Sequence, residues 1–436
     1  MSDPIWKKSG KHEVPEAIMR FLAGQDVELD RELLPFDIRA SRAHARGLAR
    51  IGVLSDDQAG AMGRELDALA DAFAAGEFVL DHRFEDGHSA IEAWLTERLG
   101  ETGKRIHAGR SRNDQIAVAL RLYLKDRLKR LVGLCGDIAE VALKRARAEC
   151  DVPLPGHTHL QQAMPSSLGL WWAGHAEAFV DNAELAAAIH AWLDASPLGT
   201  ASGFGVNLAL DRDGVAAELG FARLAVNPQN AQAARGKVEL RAIDALAAAT
   251  SDLRRLCWDV SLYASQEFGY VKVSPEFCTG SSIMPNKLNP DGVELLRALH
   301  ATVVGARAEL DSVLSLPSGY QRDLQDTKPP VLRAFGRGLE GLALTPTLLA
   351  GLEWNQERMR DSIGAPMHAT DRANELVADG MSFRDAYRKV GDELDALAER
   401  DADDSLAARV SPGGCGNLLL DRIEARMRSV RSRARE

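Results

Sequence analysis

Apolar residues recur every three or four positions along most of this chain, which is the period of an α-helix rather than of a β-strand. The clearest run covers about residues 232–263, where one stripe holds Ile243, Leu246, Leu253, Leu256, Val260 and Tyr263. Similar runs cover about 114–149 and 166–193, and another follows Asn289. A helix of this length cannot bury its apolar face alone, so the pattern predicts an all-α fold with a central, long, antiparallel helix bundle.

Shorter amphipathic stretches flank these long runs on both sides. The chain has 436 residues, which exceeds the length of about 250–300 residues at which single cores stop growing. Gly364-Ala365-Pro366 marks a boundary after the long runs. We therefore predict three helical domains: an N-terminal domain over 1–106, the central bundle over 107–360 and a small C-terminal domain over 361–436.

Charge and cysteine usage exclude several classes of protein. The formal net charge is −10, whereas a nucleic-acid-binding protein needs a basic face, so a basic tail over 422–435 is predicted to be a solvated helix face. The five cysteines are scattered and form no CxxC pair, so we predict neither disulfides nor a metal site. The start lacks a signal-like apolar stretch, and no later stretch resembles a membrane span, so a soluble cytoplasmic protein without nucleic-acid or membrane partners is expected.

Candidate chemistry is concentrated in the segment 280–290, which reads GSSIMPNKLNP. Its first half is too small and flexible for a helix, whereas Asn289-Pro290 suits a helix N-cap and first turn. Backbone N–H groups and Lys287 would then converge beside Ser281, which suits a developing oxyanion or a substrate carboxylate. An ordinary surface loop of serine and glycine is the alternative interpretation of this composition.

The same segment fills every fixed position of GSSxMPxKxNP, and it therefore resembles the loop shared by the fumarase/aspartase superfamily. Residues 109–115 read GRSRNDQ, and residues 156–161 read GHTHLQ with Pro165 following. Both stretches resemble the argininosuccinate lyase family within that superfamily. The resemblance implies a cofactor-free carbon–nitrogen lyase that splits a small molecule, argininosuccinate, into arginine and fumarate. It also implies an all-α homotetramer in which three subunits contribute to each active site.

Argininosuccinate carries three carboxylates, so its site needs fixed cations and amide-type donors. For Arg112 alone, a surface ion pair would be the ordinary interpretation, and for Tyr320 a core position would be. Their places in matched stretches favour contact with the substrate. The predicted substrate-binding residues are His88, Ser111, Arg112, Asn113, Thr158, Asn289, Tyr320, Gln325 and Lys328.

Elimination requires a base for the proton beside a carboxylate and an acid for the departing guanidino nitrogen. We assign Ser281 as the base, activated by loop donors and Lys287, and His159 as the acid, with Glu294 holding its ring. The reverse assignment, with histidine as base and serine as acid, remains open at this stage. A sister lyase that releases fumarate from another substrate, or a structural protein of the crystallin kind, are the alternative functions.

Overall fold

The computed structural model describes residues 15–314 and 319–435, and these residues form a predominantly helical structure. The helices are α1 Glu16–Ala23, α2 Asp26–Arg50, α3 Asp56–Ala74, α4 Gly87–Leu99, α5 Glu101–Lys104, α6 Arg112–Ala148, α7 Leu168–Leu193, α8 Arg212–Glu218, α9 Pro228–Ala233, α10 Lys237–Tyr263, α11 Asp291–Val313, α12 Lys328–Ala350, α13 Gln356–Asp361, α14 Ala369–Ala378, α15 Phe383–Asp392, α16 Ala402–Ala407 and α17 Leu420–Arg435. Short 3₁₀ turns cover Arg105–His107, Pro275–Phe277, Arg322–Thr327, Ala365–His368 and Leu394–Ala396.

The strands are short and form four two-stranded pairs within the described residues. They are β1 Pro153–Thr158, β2 Gln161–Ser167, β3 Ala195–Ser196, β4 Arg223–Leu224, β5 Val271–Lys272, β6 Thr279–Gly280, β7 Leu288–Asn289 and β8 Glu353–Trp354. The pairs β1–β2, β5–β8 and β6–β7 are antiparallel, and β3–β4 is parallel. Because these strands are so short, the all-α prediction is confirmed.

The predicted long helices are present, with two differences at their starts. Helix α10 begins at Lys237 rather than at about residue 232, because Gly236 has φ +78° and ends the preceding turn. Helix α11 begins at Asp291, and the Pro290 carbonyl accepts from the Glu294 N–H. The predicted N-cap at Asn289 is therefore wrong, because Asn289 lies in β7.

The described residues divide into two compact units, each built from three segments of chain. Unit 1 contains 15–129, 188–244 and the described part of 304–335. Unit 2 contains 130–187, 245–303 and 336–435. The boundaries fall inside helices α6, α7, α10, α11 and α12, so these helices belong partly to each unit. The three-domain division over 1–106, 107–360 and 361–436 stays a prediction.

In unit 1, helices α2, α3 and α4 enclose a core that includes Leu48, Met62 and Ile91, all fully buried. Both later helices begin with reciprocal caps. Ser55 and Gln58 exchange side-chain and backbone hydrogen bonds at the start of α3, and Asp86 does the same with Ser89 at α4. His88 is the second residue of α4, so the cap at Asp86 fixes the backbone from which its side chain leaves.

In unit 2, helices α7 and α10 run antiparallel. Trp171, near the start of α7, donates from Nε1 to Asp259, near the end of α10, at 2.9 Å. Further along, Asn182 donates to Asp252 at 2.8 Å. Indole and amide donors that reach carboxylates on the neighbouring helix fix the register between the two helices, which apolar contacts alone would leave less specified.

The basic C-terminal stretch forms α17, which buries Ile423, Met427 and Val430 in unit 2. Three of its arginines, Arg426, Arg428 and Arg431, pair with carboxylates. Arg426 contacts a row of three on α7, namely Glu177, Asp181 and Glu184. These pairs raise the pKa of Arg426, chiefly through hydrogen bonds to Glu184 and Asp181. The tail is thus a helix, as predicted, and its charge is matched by the acidic face of α7.

Replacement of Arg426 by alanine should lower the free energy of unfolding by about 1–2 kcal/mol, because three partly exposed ion pairs are lost together. Arg428→Ala is the matched control, since Arg428 is 69% exposed and, among the described residues, pairs only with Glu424 on its own helix. Urea unfolding would compare the variants at low and high salt, and salt should reduce the difference. Equal stability of the two variants would contradict the role given to Arg426.

Burial of His44 is expected to make the stability of unit 1 depend on pH. His44 on α2 is 3% exposed, and its Nε2 lies 2.9 Å from the Ala108 carbonyl oxygen. Burial, followed by the charge of Arg110, lowers the pKa of His44 to about 3. In the unfolded chain this histidine would bind a proton below its ordinary pKa of about 6.5.

The free energy of unfolding should therefore fall as the pH falls from about 6.5 towards 3, because the unfolded state takes up the proton first. The slope contributed by one such group is about 1.4 kcal/mol per pH unit. Urea unfolding of wild type and His44→Gln would measure it, since glutamine keeps a donor for Ala108 but does not titrate. If the two proteins showed the same dependence on pH, His44 would not be its source.

Candidate active site

The predicted site residues fall into two groups, one in each unit. Unit 1 holds His88, Ser111, Arg112, Asn113, Tyr320, Gln325 and Lys328. Unit 2 holds Thr158, His159, Ser281, Lys287, Asn289 and Glu294. Every predicted proton-transfer residue is therefore in unit 2, whereas most of the predicted substrate-binding residues are in unit 1.

The GRSRNDQ stretch of unit 1 forms a turn that leads into α6, and the buried carboxylate of Asp114 holds it. Asp114 accepts from the Ser111 N–H at 2.7 Å and from the N–H groups of Gly199 and Ala201 at 3.0 Å each. Burial raises the pKa of Asp114 to about 6, against the lowering effect of these donors. This carboxylate connects the turn to residues 199–201, and the motif-based prediction did not assign it a role.

The turn carries three predicted ligand residues at the start of α6. The Asn113 N–H donates to Ser111 Oγ at 3.1 Å. Arg112 reaches Glu85 at 2.9 Å and Asp86 at 3.2 Å. Arg112 thus forms ion pairs with carboxylates, which is the ordinary role of an arginine. Its role in binding substrate stays a prediction.

His88 is 9% exposed and its Nδ1 lies 2.5 Å from Asp37 Oδ2. Burial alone would lower the pKa of His88, but the Asp37 carboxylate raises it. The charged imidazolium is therefore favoured inside unit 1. The structure makes His88 part of a buried ion pair, which sequence patterns could not have predicted because Asp37 lies 51 positions away.

The 3₁₀ turn Arg322–Thr327 carries Gln325 and leads into Lys328. Gln325 donates from Nε2 to the Leu22 carbonyl oxygen at 3.1 Å. Arg235 holds the turn in place: it is 5% exposed and donates to the Leu324 carbonyl oxygen at 3.0 Å. Tyr320, just before the turn, is half-buried.

Lys328 itself is buried, and two carboxylates of α2 contact its ammonium group. Asp26 lies 2.5 Å from Nζ and Asp30 lies 2.8 Å away. Burial would lower the pKa of Lys328, but Asp30 and Asp26 raise it. These two partners were not among the predicted site residues, because the 298 positions between Asp30 and Lys328 leave no local pattern.

In unit 2, strands β1 and β2 form a hairpin whose last paired residues are Thr158 and Gln161. The two residues between them, His159 and Leu160, have φ of +55° and +59°. Left-handed backbone at both positions is typical of a type I′ turn, which favours Asn-Gly. For a residue with a Cβ, the left-handed conformation costs about 1–2 kcal/mol. The hairpin therefore presents an exposed histidine at its tip at some cost in stability.

A cavity of about 430 Å³ lies beside this hairpin, between it and helices α7 and α10. Its lining includes both hairpin histidines and several aromatic residues, namely His157, His159, Trp171, Trp258, Tyr263 and Phe268. His157 packs edge-on against Phe268 and its Nδ1 contacts the Pro155 carbonyl oxygen at 3.0 Å. These contacts agree with a structural role for His157, whereas His159 remains exposed.

The serine loop is closed at its base by the β6–β7 pair, in which Thr279 faces Asn289 and Gly280 faces Leu288. Ser281 follows β6 directly. Its Oγ accepts hydrogen bonds from the Met284 N–H at 3.0 Å and from the Ile283 N–H at 3.4 Å. Two backbone donors therefore point at the hydroxyl oxygen of Ser281.

The four predicted catalytic residues all lie in unit 2. In the described residues, no hydrogen bond or ion pair joins Ser281, His159, Lys287 or Glu294 to another of the four. Glu294 lies in the exposed first turn of α11. The predicted contact between Glu294 and the His159 ring therefore stays a prediction.

No group of three histidine, cysteine, aspartate or glutamate side chains is placed to share a metal ion in residues 15–314 and 319–435. Over the same ranges, no helix combines the length and the apolar character required to cross a membrane.

Comparison with known proteins identifies close relatives. The family model described as Lyase matches residues 10–305. The chain is 55% identical over 431 residues to the argininosuccinate lyase of Stenotrophomonas maltophilia (strain R551-3), covering 99% of this chain and 100% of the relative. It is 54% identical over 433 residues to the argininosuccinate lyase of Xanthomonas axonopodis pv. citri (strain 306), with the same coverage.

Solved structures share the fold at lower sequence identity. EDDS lyase in complex with formate superposes with a TM-score of 0.77 and 23% identity, covering 98% of this chain and 91% of that one. A class II fumarase from Schistosoma mansoni gives a TM-score of 0.74 and 15% identity, covering 97% and 98%. Since the family model spans more than half of the chain and curated relatives match over its full length, the chain belongs to the argininosuccinate lyase family.

Proposed function

We propose that this protein catalyses the reversible elimination of argininosuccinate to L-arginine and fumarate. The identity of 55% to an argininosuccinate lyase along 99% of the chain supports this choice of substrate over that of a sister lyase. The observation that carries the mechanism is the pair of backbone N–H groups that point at Ser281 Oγ.

Ser281 acts as the base in this proposal. Its Oγ removes the proton from the substrate carbon beside the carboxylate, and the N–H groups of Met284 and Ile283 stabilise the alkoxide that makes this possible. Removing the proton places a second negative charge on that carboxylate. Lys287 and Asn289, which lie on the same loop, are the proposed donors for this dianion.

His159 acts as the acid and protonates the guanidino nitrogen as the carbon–nitrogen bond breaks. Its position supports the role, because the hairpin turn exposes the ring and accepts a strained backbone to do so. Glu294 would stabilise the imidazolium form. Substrate carboxylates are bound by Arg112, Asn113, Ser111, Thr158, Gln325, Lys328 and Tyr320, and His88 supports the same region through Asp37.

We further propose a cytoplasmic homotetramer in which three subunits supply each site. Two observations support shared sites. Within the described part of one chain, no hydrogen bond or ion pair joins any two of the four proposed catalytic residues. Both loop tips also carry exposed apolar side chains beside the proposed catalytic residue, with Leu160 66% exposed and Ile283 82% exposed. Apolar tips of this kind suit burial against another protein surface.

Ser281→Ala should reduce kcat by at least about 10²- to 10⁴-fold, because general-base catalysis contributes about that much. Fumarate absorbs in the ultraviolet, so the absorbance after addition of argininosuccinate measures the rate. Ser282→Ala is the matched control, since Ser282 is the adjacent exposed serine. If wild type released no fumarate, the assignment of argininosuccinate as substrate would be wrong. If Ser281→Ala kept full activity, the assignment of Ser281 as base would be wrong.

Mixing inactive Ser281→Ala protein with inactive His159→Asn protein should restore activity, because sites that combine wild-type loops from different subunits then form. Random exchange predicts that about a quarter of the sites carry both wild-type residues. Asparagine is chosen at position 159 because it tolerates left-handed backbone. Native mass spectrometry would verify exchange. If mixed tetramers formed and remained inactive, the two residues would have to act within one subunit.

A further inference from the structure

The cavity beside the β1–β2 hairpin has a carboxylate in its wall without a lysine or arginine partner. Asp259 on α10 lines the cavity, and its side chain is 36% exposed. Its Oδ2 accepts from Trp171 Nε1 at 2.9 Å and lies 3.8 Å from His175 Nε2. In residues 15–314 and 319–435, no lysine or arginine forms an ion pair with Asp259. Its charge is therefore available to a cation that enters the cavity.

Aromatic rings form the walls around this carboxylate. Trp258, the residue before Asp259, is 48% exposed, and it lines the cavity together with Trp171 and Tyr263. Trp171 is held by an edge-on contact with the buried Trp172, at a centroid distance of 4.7 Å. Aromatic faces attract cations, and a carboxylate among them adds a charged hydrogen-bond acceptor. The cavity therefore has the chemistry of a site for an organic cation.

The ring of Trp258 already contacts one guanidinium group of the protein. The guanidinium carbon of Arg297, on α11, lies 5.4 Å from the ring centroid, and Arg297 donates to Ser261 Oγ at 3.0 Å. Arg297 is not among the residues that line the cavity. The part of the Trp258 ring that faces the cavity therefore remains open to a ligand.

Tyr263 adds a neutral hydroxyl group to the same cavity. Burial raises the pKa of this hydroxyl, and the charge of Asp259 raises it further. Within the described ranges of the chain, the hydroxyl makes no hydrogen bond. A neutral hydroxyl can donate to an acceptor on a ligand, such as the carboxylate of an amino acid. The cavity thus combines groups for the cation and for the anion of a basic amino acid.

The cavity is separate from the serine loop. His159 lines it, whereas Ser281, Lys287 and Glu294 do not. All of its lining residues belong to unit 2. A ligand in the cavity can therefore contact the proposed acid without occupying the position at which Ser281 would remove a proton.

We propose that this cavity is a regulatory site for L-arginine, whose guanidinium group pairs with Asp259 among the rings of Trp171 and Trp258. The inference rests on the proposed function, because L-arginine is then a product of the reaction. A planar guanidinium suits the cavity, since it binds a carboxylate through two N–H groups and stacks on aromatic rings. The volume of about 430 Å³ lies within the range of about 300–1,000 Å³ that is typical of small-molecule sites.

Occupation of the cavity inhibits the enzyme in this proposal. The imidazolium form of His159 is the proposed acid, and a positive charge bound beside the ring disfavours that form. Accumulation of the product therefore slows proton transfer to the departing nitrogen. Inhibition of this kind lowers kcat, whereas L-arginine bound in place of the substrate raises KM.

The experiment measures L-arginine binding by calorimetry in wild type, Asp259→Asn, Trp258→Leu and Trp192→Leu. Asparagine at position 259 removes the charge but keeps an oxygen that can accept from Trp171, so this variant is expected to fold. Trp192→Leu is the matched control for Trp258→Leu, since Trp192 is 42% exposed but does not line the cavity.

Wild type should bind two molecules of L-arginine per chain, one at the catalytic site and one in the cavity. Asp259→Asn should weaken one of the two sites by about 10- to 100-fold, which corresponds to the loss of a hydrogen bond between charged groups. Trp258→Leu should weaken the same site by about 2- to 5-fold, and Trp192→Leu should alter neither. In the fumarate assay, Asp259→Asn should keep the kcat of wild type without L-arginine and lose the decrease in kcat that L-arginine causes.

Two results would overturn the inference. If Asp259→Asn weakened no L-arginine site of the wild type, the cavity would not bind this ligand. If L-arginine decreased kcat equally in both proteins, the cavity would have no regulatory role, although the proposed reaction would stand. Calorimetry does not depend on turnover. A wild type that bound L-arginine through Asp259 but released no fumarate would therefore count against the proposed reaction and not against the site.

Discussion

The burial of apolar faces on five long helices is the constraint on which the rest of this structure depends. Helices α6, α7, α10, α11 and α12 have between 23 and 37 residues, and each contributes to both compact units. Helices of this length leave few places where the backbone is free to adopt other conformations. Functional groups that need unusual backbone must therefore lie in the connections, as the β1–β2 hairpin and the serine loop do.

The serine loop and the β1–β2 hairpin present their functional groups in different ways. The serine loop directs backbone N–H groups at a hydroxyl oxygen. Because these donors belong to the main chain, they do not depend on which side chains the loop carries. The hairpin instead exposes one imidazole by holding two non-glycine residues in the left-handed region. Such strain persists only where the surrounding structure fixes it, and here the pairing of β1 with β2 does so.

Unit 1 differs from unit 2 in that its predicted ligand residues are embedded in buried ion pairs. Lys328, His88 and Arg112 each contact at least one carboxylate of the same chain. Buried charges require such partners, and removal of one partner leaves the other uncompensated. The ion pairs therefore hold the cationic side chains in place.

The sequence alone determined the fold class and the family, because helical periodicity and the motif at 280–290 are local properties of the chain. Other features depended on tertiary structure. Asp26, Asp30 and Asp37 acquire their roles from partners far along the chain, and the start of α10 depends on the conformation of Gly236. Periodicity records which face of a helix is buried, but it carries no information about which charges meet once the helices pack.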